Sequence, residues 1–251
     1  GDHLLILNPD TVVTENALSD LLGTIKSDET LTLLSCRQVN ERGKESIAWG
    51  PFPAFSNLTG FMRSVLNTGY KTQKRFREGF PHSIFFPDWV SGSFMLIRRR
   101  DFMLFGGFDE DFWMYSEDVD LCRRISDKGG AVAYHTGVTI EHNHGGSSRI
   151  NLKTSALTKT EVYISRHQYF SKHKSGVEKV LIQTFIVINN LISAGLTALA
   201  GLLFFFIPKL YLRAVVFKNL TGYYINAISV KSWMGSRSVN YHKLKNKSKK
   251  N

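Results

Sequence analysis

The sequence predicts an α/β domain with Rossmann-like layering, followed by a helical, membrane-associating region, and three observations carry that prediction. Apolar runs alternate with helical patterns over roughly the first 150 of 251 residues, the pattern of a sheet covered by helices. Residues 180–208 then form 29 consecutive positions without a charge, between Lys179 and Lys209. Charge also divides sharply: residues 1–150 hold 16 Lys or Arg and 19 Asp or Glu, whereas residues 151–251 hold 16 and 2. A near-neutral globular part is thus joined to a strongly basic one, whose obvious partners are anionic lipid or nucleic acid. With 43% hydrophobic and 12% aromatic residues, the chain can bury a core, which excludes a disordered or collagen-like chain. Cys36 and Cys122 are too few for a disulfide framework or a Cys-based zinc site.

The elements follow in order. His3–Leu7 reads as a buried strand; a chain that opens on such a strand leads us to expect further sequence upstream. Residues 14–27 read as a helix, with Glu15 in the first turn and Ala17, Leu18, Leu21, Leu22 and Ile25 on one face. Strands are predicted over Leu31–Cys36, Ser93–Arg98, Ala131–Tyr134 and Val138–Glu141, and a helix over Glu117–Lys128 ended by Gly129-Gly130. Residues 50–87, aromatic, basic and punctuated by prolines, read as a long loop acting as a lid or binding element. Residues 151–174 suggest a helix lying on something.

As a helix, residues 180–208 would run about 40 Å against a hydrocarbon core of about 30 Å. Gln183, Asn189, Asn190 and Ser193 interrupt the first half, so three readings stand: a tilted transmembrane span, a re-entrant or interfacial hairpin, and a buried helix. Residues 211–233 mix Arg213, Lys218 and Lys231 with Tyr223, Tyr224 and Trp233, as expected at a headgroup interface. The end, with five lysines in residues 243–251, reads as a disordered basic tail. The expected division is 1–175, 176–240 and 241–251.

Three places hold candidate chemistry. Asn8-Pro9-Asp10 follows the first strand, where a carboxylate points toward the region in which α/β sheets bind ligands; Asp10 could ligate a hard divalent cation, with Asn8 beside it. The structural alternative is a turn in which Asp10 or Thr11 begins the next helix. Residues 109–120 hold six acids among aromatics. With Ser116 as N-cap, Glu117 and Asp118 fall in a first helical turn, where the dipole favours ionised carboxylates and a general base can be held. The alternative is that they only complement the dipole. His142 and His144, before Gly145-Gly146-Ser147-Ser148, could complete a metal site begun by Asp10, or form an ordinary exposed loop.

The order of these segments is more specific than any one of them. Asn8-Pro9-Asp10, residues 88–96 (DWVSGSFML), Gly107-Phe108-Asp109-Glu110, residues 115–121 (YSEDVDL) with Arg124, and His142 with its glycines closely resemble the family 2 inverting glycosyltransferases of GT-A fold, especially the rhamnosyltransferase-like members. The resemblance covers about residues 1–175. It implies that Asp10 is the last acid of the family's metal-binding motif, with Asn8 where many relatives have Asp. It also implies that Glu117-Asp118 is the acidic pair whose Asp is the base, and that Arg124 is a site-organising or phosphate-facing cation. Trp89, Gly92 and Ser93 would line the donor and acceptor cleft, and His142 would reach the metal or diphosphate. The implied reaction moves a sugar, rhamnose by the resemblance alone, from a nucleotide-diphosphate donor to a lipid-linked or polysaccharide acceptor, with inversion and with Mg²⁺ or Mn²⁺. The implied setting is the cytoplasmic face of an anionic membrane. Relative to the family, the nucleotide-binding strands are expected to be missing before Gly1, which supports an alternative reading as a catalytically incompetent membrane-bound binding or assembly element. Nucleic acid is disfavoured as a partner, because the basic residues flank an apolar run instead of forming a stripe with stacking aromatics.

Overall fold

The computed structural model describes residues 1–60, 62, 83–143, 151–204 and 206–248. The expected glycine-rich segment at 145–148 and most of the expected basic loop lie outside them. Contacts divide the chain into two units, residues 1–109 with 117–146, and residues 110–116 with 147–251.

The first unit is built on a mixed sheet. Its strands among the described residues are β1 (His3–Leu7), β2 (Thr11–Val12), β3 (Leu31–Val39), β4 (Glu45–Ser46), β6 (Ile84–Phe85), β8 (Phe94–Arg98) and β9 (Ala131–His142), in the order β1-β8-β3-β9-β2, with β4 on β3 and β6 on β9. Only β3 and β9 pair in parallel; β1/β8, β3/β8 and β2/β9 are antiparallel. A separate pair joins β5 (Trp49–Gly50) to β7 (Trp89–Val90). Alternation along the strands buries both faces. Phe94 and Leu96 with Ala131 and Ala133 pack under α1 (Glu15–Ser27), through its Ala17, Leu21 and Ile25. Met95 and Ile97 with Val132 and Tyr134 pack under α3 (Glu117–Asp127), through Leu121, Cys122 and Ile125.

The helix ends follow local chemistry. Thr14 caps α1 by accepting from the Ala17 N–H at 3.3 Å, and at the helix's other end Arg98, the buried last residue of β8, donates to the carbonyls of Leu31 and Asp28. A short helix α2 (Arg99–Leu104) follows β8. Helix α3 ends where Gly129 takes φ 81° and the Gly130 N–H reaches the Ile125 carbonyl at 2.9 Å, a left-handed termination that favours glycine. The two strands predicted over residues 131–141 are one strand, because the interruption at Thr136-Gly137 is a bulge. His135 Nδ1 accepts the Gly137 and Val138 N–H groups there, and pairing with β3 resumes at Thr139.

The second unit is helical: α4 (Leu152–His173), α5 (Gly176–Leu203), α6 (Pro208–Val230) and α7 (Tyr241–Ser248). Helix α4 falls with this unit, whereas the sequence reading drew the boundary at 175. The expected disordered tail is helical over Tyr241–Ser248. It is anchored because Tyr241 is buried with its hydroxyl 2.6 Å from Asn226 Oδ1, while Asp111 Oδ1 accepts from Ser238 and Asn240 just before it. Three helices enclose a polar network. His167 bonds Gln183 through Nδ1 and Tyr224 through Nε2 (3.1 Å), Asn190 donates to the Tyr224 hydroxyl at 2.9 Å, and His167 stacks on Trp233.

Candidate active site

The acidic pair opens α3. Asp118 accepts two backbone N–H groups, from Gly92 (Oδ2, 2.8 Å) and Val119 (Oδ1, 2.8 Å). Glu117 differs, since its Oε2 is buried with no hydrogen-bond partner among the described residues. Burial first, and then the Asp118 charge, push the Glu117 carboxyl up to about 7. Burial also raises Asp118, against the downward pull of the Gly92 and Val119 N–H groups. Burial thus makes both adjacent carboxyls harder to ionise and, once ionised, more basic, the property a general base uses. Ser116 does not cap this helix in the expected way. It sits at φ 65° with its hydroxyl 3.2 Å from Ser165 Oγ, and Tyr115 before it has φ 68°, so the chain enters α3 through two strained residues.

Asp10 stands at the other side of the same unit's sheet edge. The Thr11 N–H donates to the Asn8 carbonyl, so the turn expected at Asn-Pro-Asp is present, but it leads into β2 against His142, and Thr14 caps the next helix in place of the expected Asp10 or Thr11; the Asn8 N–H donates to the Ser93 carbonyl. That pairing brings Asp10 Oδ1 to 3.4 Å from His142 Nε2. His142 is buried, and its Nδ1 lies 3.0 Å from Gln38 Oε1, which also accepts from Ser93 Oγ at 2.8 Å. In the assigned orientation of the Gln38 amide, the proton sits on Nδ1 and the Nε2 lone pair faces a carboxylate. Two acceptors in that position call for a cation or a proton between them, and this donor set suits a divalent metal. Among the described residues no group of three His, Cys, Asp or Glu converges.

The segment Ser91-Gly92-Ser93 ties the two places together. Through its N–H, Gly92 holds Asp118; through its hydroxyl, Ser93 reaches Gln38, His142 and then Asp10. Four of the five segments quoted above for their order therefore meet in one connected set, and Arg124 braces the Gly106-Gly107 turn from the same helix. Gln38 lies two residues beyond the predicted strand, which ends at Cys36, so its place in the site is not foreseen. The signal was a lone amide two residues beyond an apolar run.

Two expected roles, a phosphate-facing Arg124 and a cleft-lining Ser93 side chain, are corrected. Arg124 does not face a phosphate: its guanidinium bonds Asp120 Oδ2 (2.8 Å) and the carbonyls of Phe105 and Gly107, so it organises a turn. Ser93 does not line a cleft with its side chain, which is buried on Gln38. Trp89 is half-buried and its indole N–H is held by the Pro51 carbonyl at 2.8 Å. Asn8 is exposed and Asp10 partly so, as ligand contact requires.

Comparison with known proteins bears on what this set of residues belongs to. Residues 3–225 match the family described as "Glycosyl transferase family group 2". The chain belongs to that family. It is an enzyme fold of the transferase class, with the mixed sheet and flanking helices of a GT-A-like domain. Relatives include the N-acetylglucosaminyl-diphospho-decaprenol L-rhamnosyltransferase of Mycobacterium tuberculosis, 42% identical over 59% of this chain and 48% of that protein. Rhamnosyltransferase WbbL of Escherichia coli K12 is 30% identical over 53% of this chain and 49% of that protein. The glycosyltransferase chain thus spans about half the length of the curated relatives it matches. Among solved structures, GalNAc-T7 with UDP, GalNAc and Mn²⁺ is similar over 65% of this chain and 32% of that chain, at 18% identity and TM-score 0.39, too distant to bear on the site.

Proposed function

We propose that this glycosyltransferase moves a sugar, rhamnose by analogy with its relatives, from a nucleotide-diphosphate donor to a hydroxyl of a lipid-linked acceptor at a membrane, with inversion. The observation that carries the reading is the connected set from Asp118 through Gly92, Ser93, Gln38 and His142 to Asp10. Asp118, oriented by the Gly92 and Val119 N–H groups, takes the acceptor proton as the hydroxyl attacks the anomeric carbon. Glu117, its carboxyl raised to about 7 by burial and by the Asp118 charge, stands beside it as the second member of the acidic pair. Asp10 and His142 would hold a divalent cation, which when bound supplies positive charge against the departing diphosphate. Gln38 fixes the His142 tautomer for that task.

The experiment is transfer by this chain with Mn²⁺, a nucleoside-diphosphate rhamnose and a polyprenyl-diphospho-N-acetylglucosamine. Mass spectrometry should show one added deoxyhexose, and NMR an inverted anomeric centre. Donor binding by calorimetry with no transfer over many hours would instead favour a binding element without turnover.

A further inference from the structure

Helix α5 is ordered inside out for a helix that meets water. Its inward face carries Gln183, Asn190, Ala194, Ala198 and Gly201, all buried. Its outward face carries Val180, Leu181, Ile188, Ile192, Leu199 and Leu202, each more than half exposed. At 3.6 residues per turn these six fall within a sector of about 120° and run about 33 Å along the helix. Gln183 and Asn190, which interrupt the apolar run, are bonded inside to His167 and Tyr224; Ser193 is exposed, and Thr184 is the one polar side chain within the stripe's sector. Water favours the opposite arrangement, and so continuous a stripe exceeds what ordinary monomers expose.

Helix α6 covers the inward face. A Cβ at Gly201 would collide with the Leu210 carbonyl oxygen, and Ala194 packs with Leu212 and Val216. Immediately after the charge-free run, α6 brings the exposed cations Lys209, Arg213 and Lys218. One hairpin thus joins an aliphatic surface to a basic one, the pairing that acyl chains and anionic headgroups satisfy together. A second copy would cover the stripe only by bringing two strongly basic regions together. A hairpin crossing the bilayer would carry Lys218, exposed halfway along α6, to the hydrocarbon mid-plane, where an ammonium is strongly disfavoured.

We propose that the α5–α6 hairpin docks lengthwise in one leaflet of an anionic membrane, the α5 stripe among the acyl chains and α6 behind it at the headgroups. This deepens the membrane association proposed above and rests on it.

The test uses the full chain with vesicles of phosphatidylcholine with and without phosphatidylglycerol. The chain should float with the anionic vesicles, and the double variant Ile188→Asp, Leu199→Asp should lower the bound fraction by about tenfold or more with unchanged circular dichroism. Depth is read from an environment-sensitive dye on Ile192→Cys or Gly222→Cys, since Cys36 and Cys122 are buried. The Asn190–Tyr224 bond sets these two positions at one level of the hairpin, and a side chain at Gly222 meets open space. The dye at 192 should be quenched by brominated acyl chains and the dye at 222 should not. Equal quenching at both would overturn one-leaflet docking while leaving membrane association intact. Absence of flotation would overturn both, as would a blue shift at 192 that needs only protein concentration and accompanies a dimer in sedimentation.

Discussion

The entrance to α3 and the centre of the helical unit both bury titratable side chains, and they treat them in opposite ways. Around His167 every ring nitrogen has a partner, the Gln183 amide returns a bond to the His167 carbonyl at 2.9 Å, and burial holds the imidazole neutral, pushed down to about 4. At α3, Glu117 keeps a buried oxygen without a partner among the described residues and a carboxyl raised to about 7. Burial with complete satisfaction stabilises a fold, whereas burial with hydrogen-bonding capacity left over costs stability and is retained where chemistry uses it. The contrast also sorts α3 itself. Asp120, fully buried, and Arg124 are satisfied by each other, and they belong with His167 as structural groups.

Removing a member of a satisfied set should therefore do most damage. Arg124→Met takes the guanidinium away from the buried Asp120 carboxylate, and should destabilise the chain by about 3–5 kcal/mol in denaturant unfolding. His167→Ala takes one partner each from Gln183 and Tyr224 and should lose about 3 kcal/mol by the same measurement. A milder loss for either would break the distinction.

Glu117→Gln should act in the opposite direction. The folded carboxyl holds its proton up to about 7, while the unfolded one releases it near 4.5, so this group's contribution is present at low pH and is lost as pH rises between those values. At pH 8 the Gln variant should be more stable than the natural chain by about 1–2 kcal/mol, and the gain should vanish toward pH 4.5. For His167 the sign reverses. The unfolded imidazole takes its proton near 6.5 and the folded one only at about 4, so stability is lost as pH falls through that window. Unfolding free energies of the natural chain, Glu117→Gln and His167→Ala from pH 4 to 8 separate the two contributions. The smallest expected effect is at the Asp10–His142 pair. Gln38→Leu frees the His142 tautomer and should weaken Mn²⁺ binding by about tenfold, read by electron paramagnetic resonance without any substrate.

Much of this was legible in the sequence where local rules act alone. Helix α1 needs only its Thr14 cap and the spacing of Ala17, Leu21 and Ile25, and α3 ends on Gly129-Gly130 as its sequence implies. The order of the motifs along the chain singles out Asp10, His142, Glu117 and Asp118 as candidates. What escaped depends on tertiary pairing. The short strands β2 and β6 exist only as partners of β9, and Gln38 matters only because Ser93 and His142 converge on it. Arg124 invited a phosphate because nothing local announces the carbonyls of Phe105 and Gly107 that hold it. Gln183 and Asn190 seemed to weaken an apolar helix, yet they face inward to His167 and Tyr224, a fact of packing that no hydropathy window contains.

The central claim is that Asp118 is the base of sugar transfer and Glu117 its electrostatic neighbour. Single-turnover transfer by Asp118→Asn, compared with Glu117→Gln at saturating donor, tests it most directly. Asp118→Asn should slow the chemical step by about 10²- to 10⁴-fold with donor affinity unchanged, and Glu117→Gln should slow it less. Near-natural turnover in Asp118→Asn, or a larger loss in Glu117→Gln, would contradict the assignment.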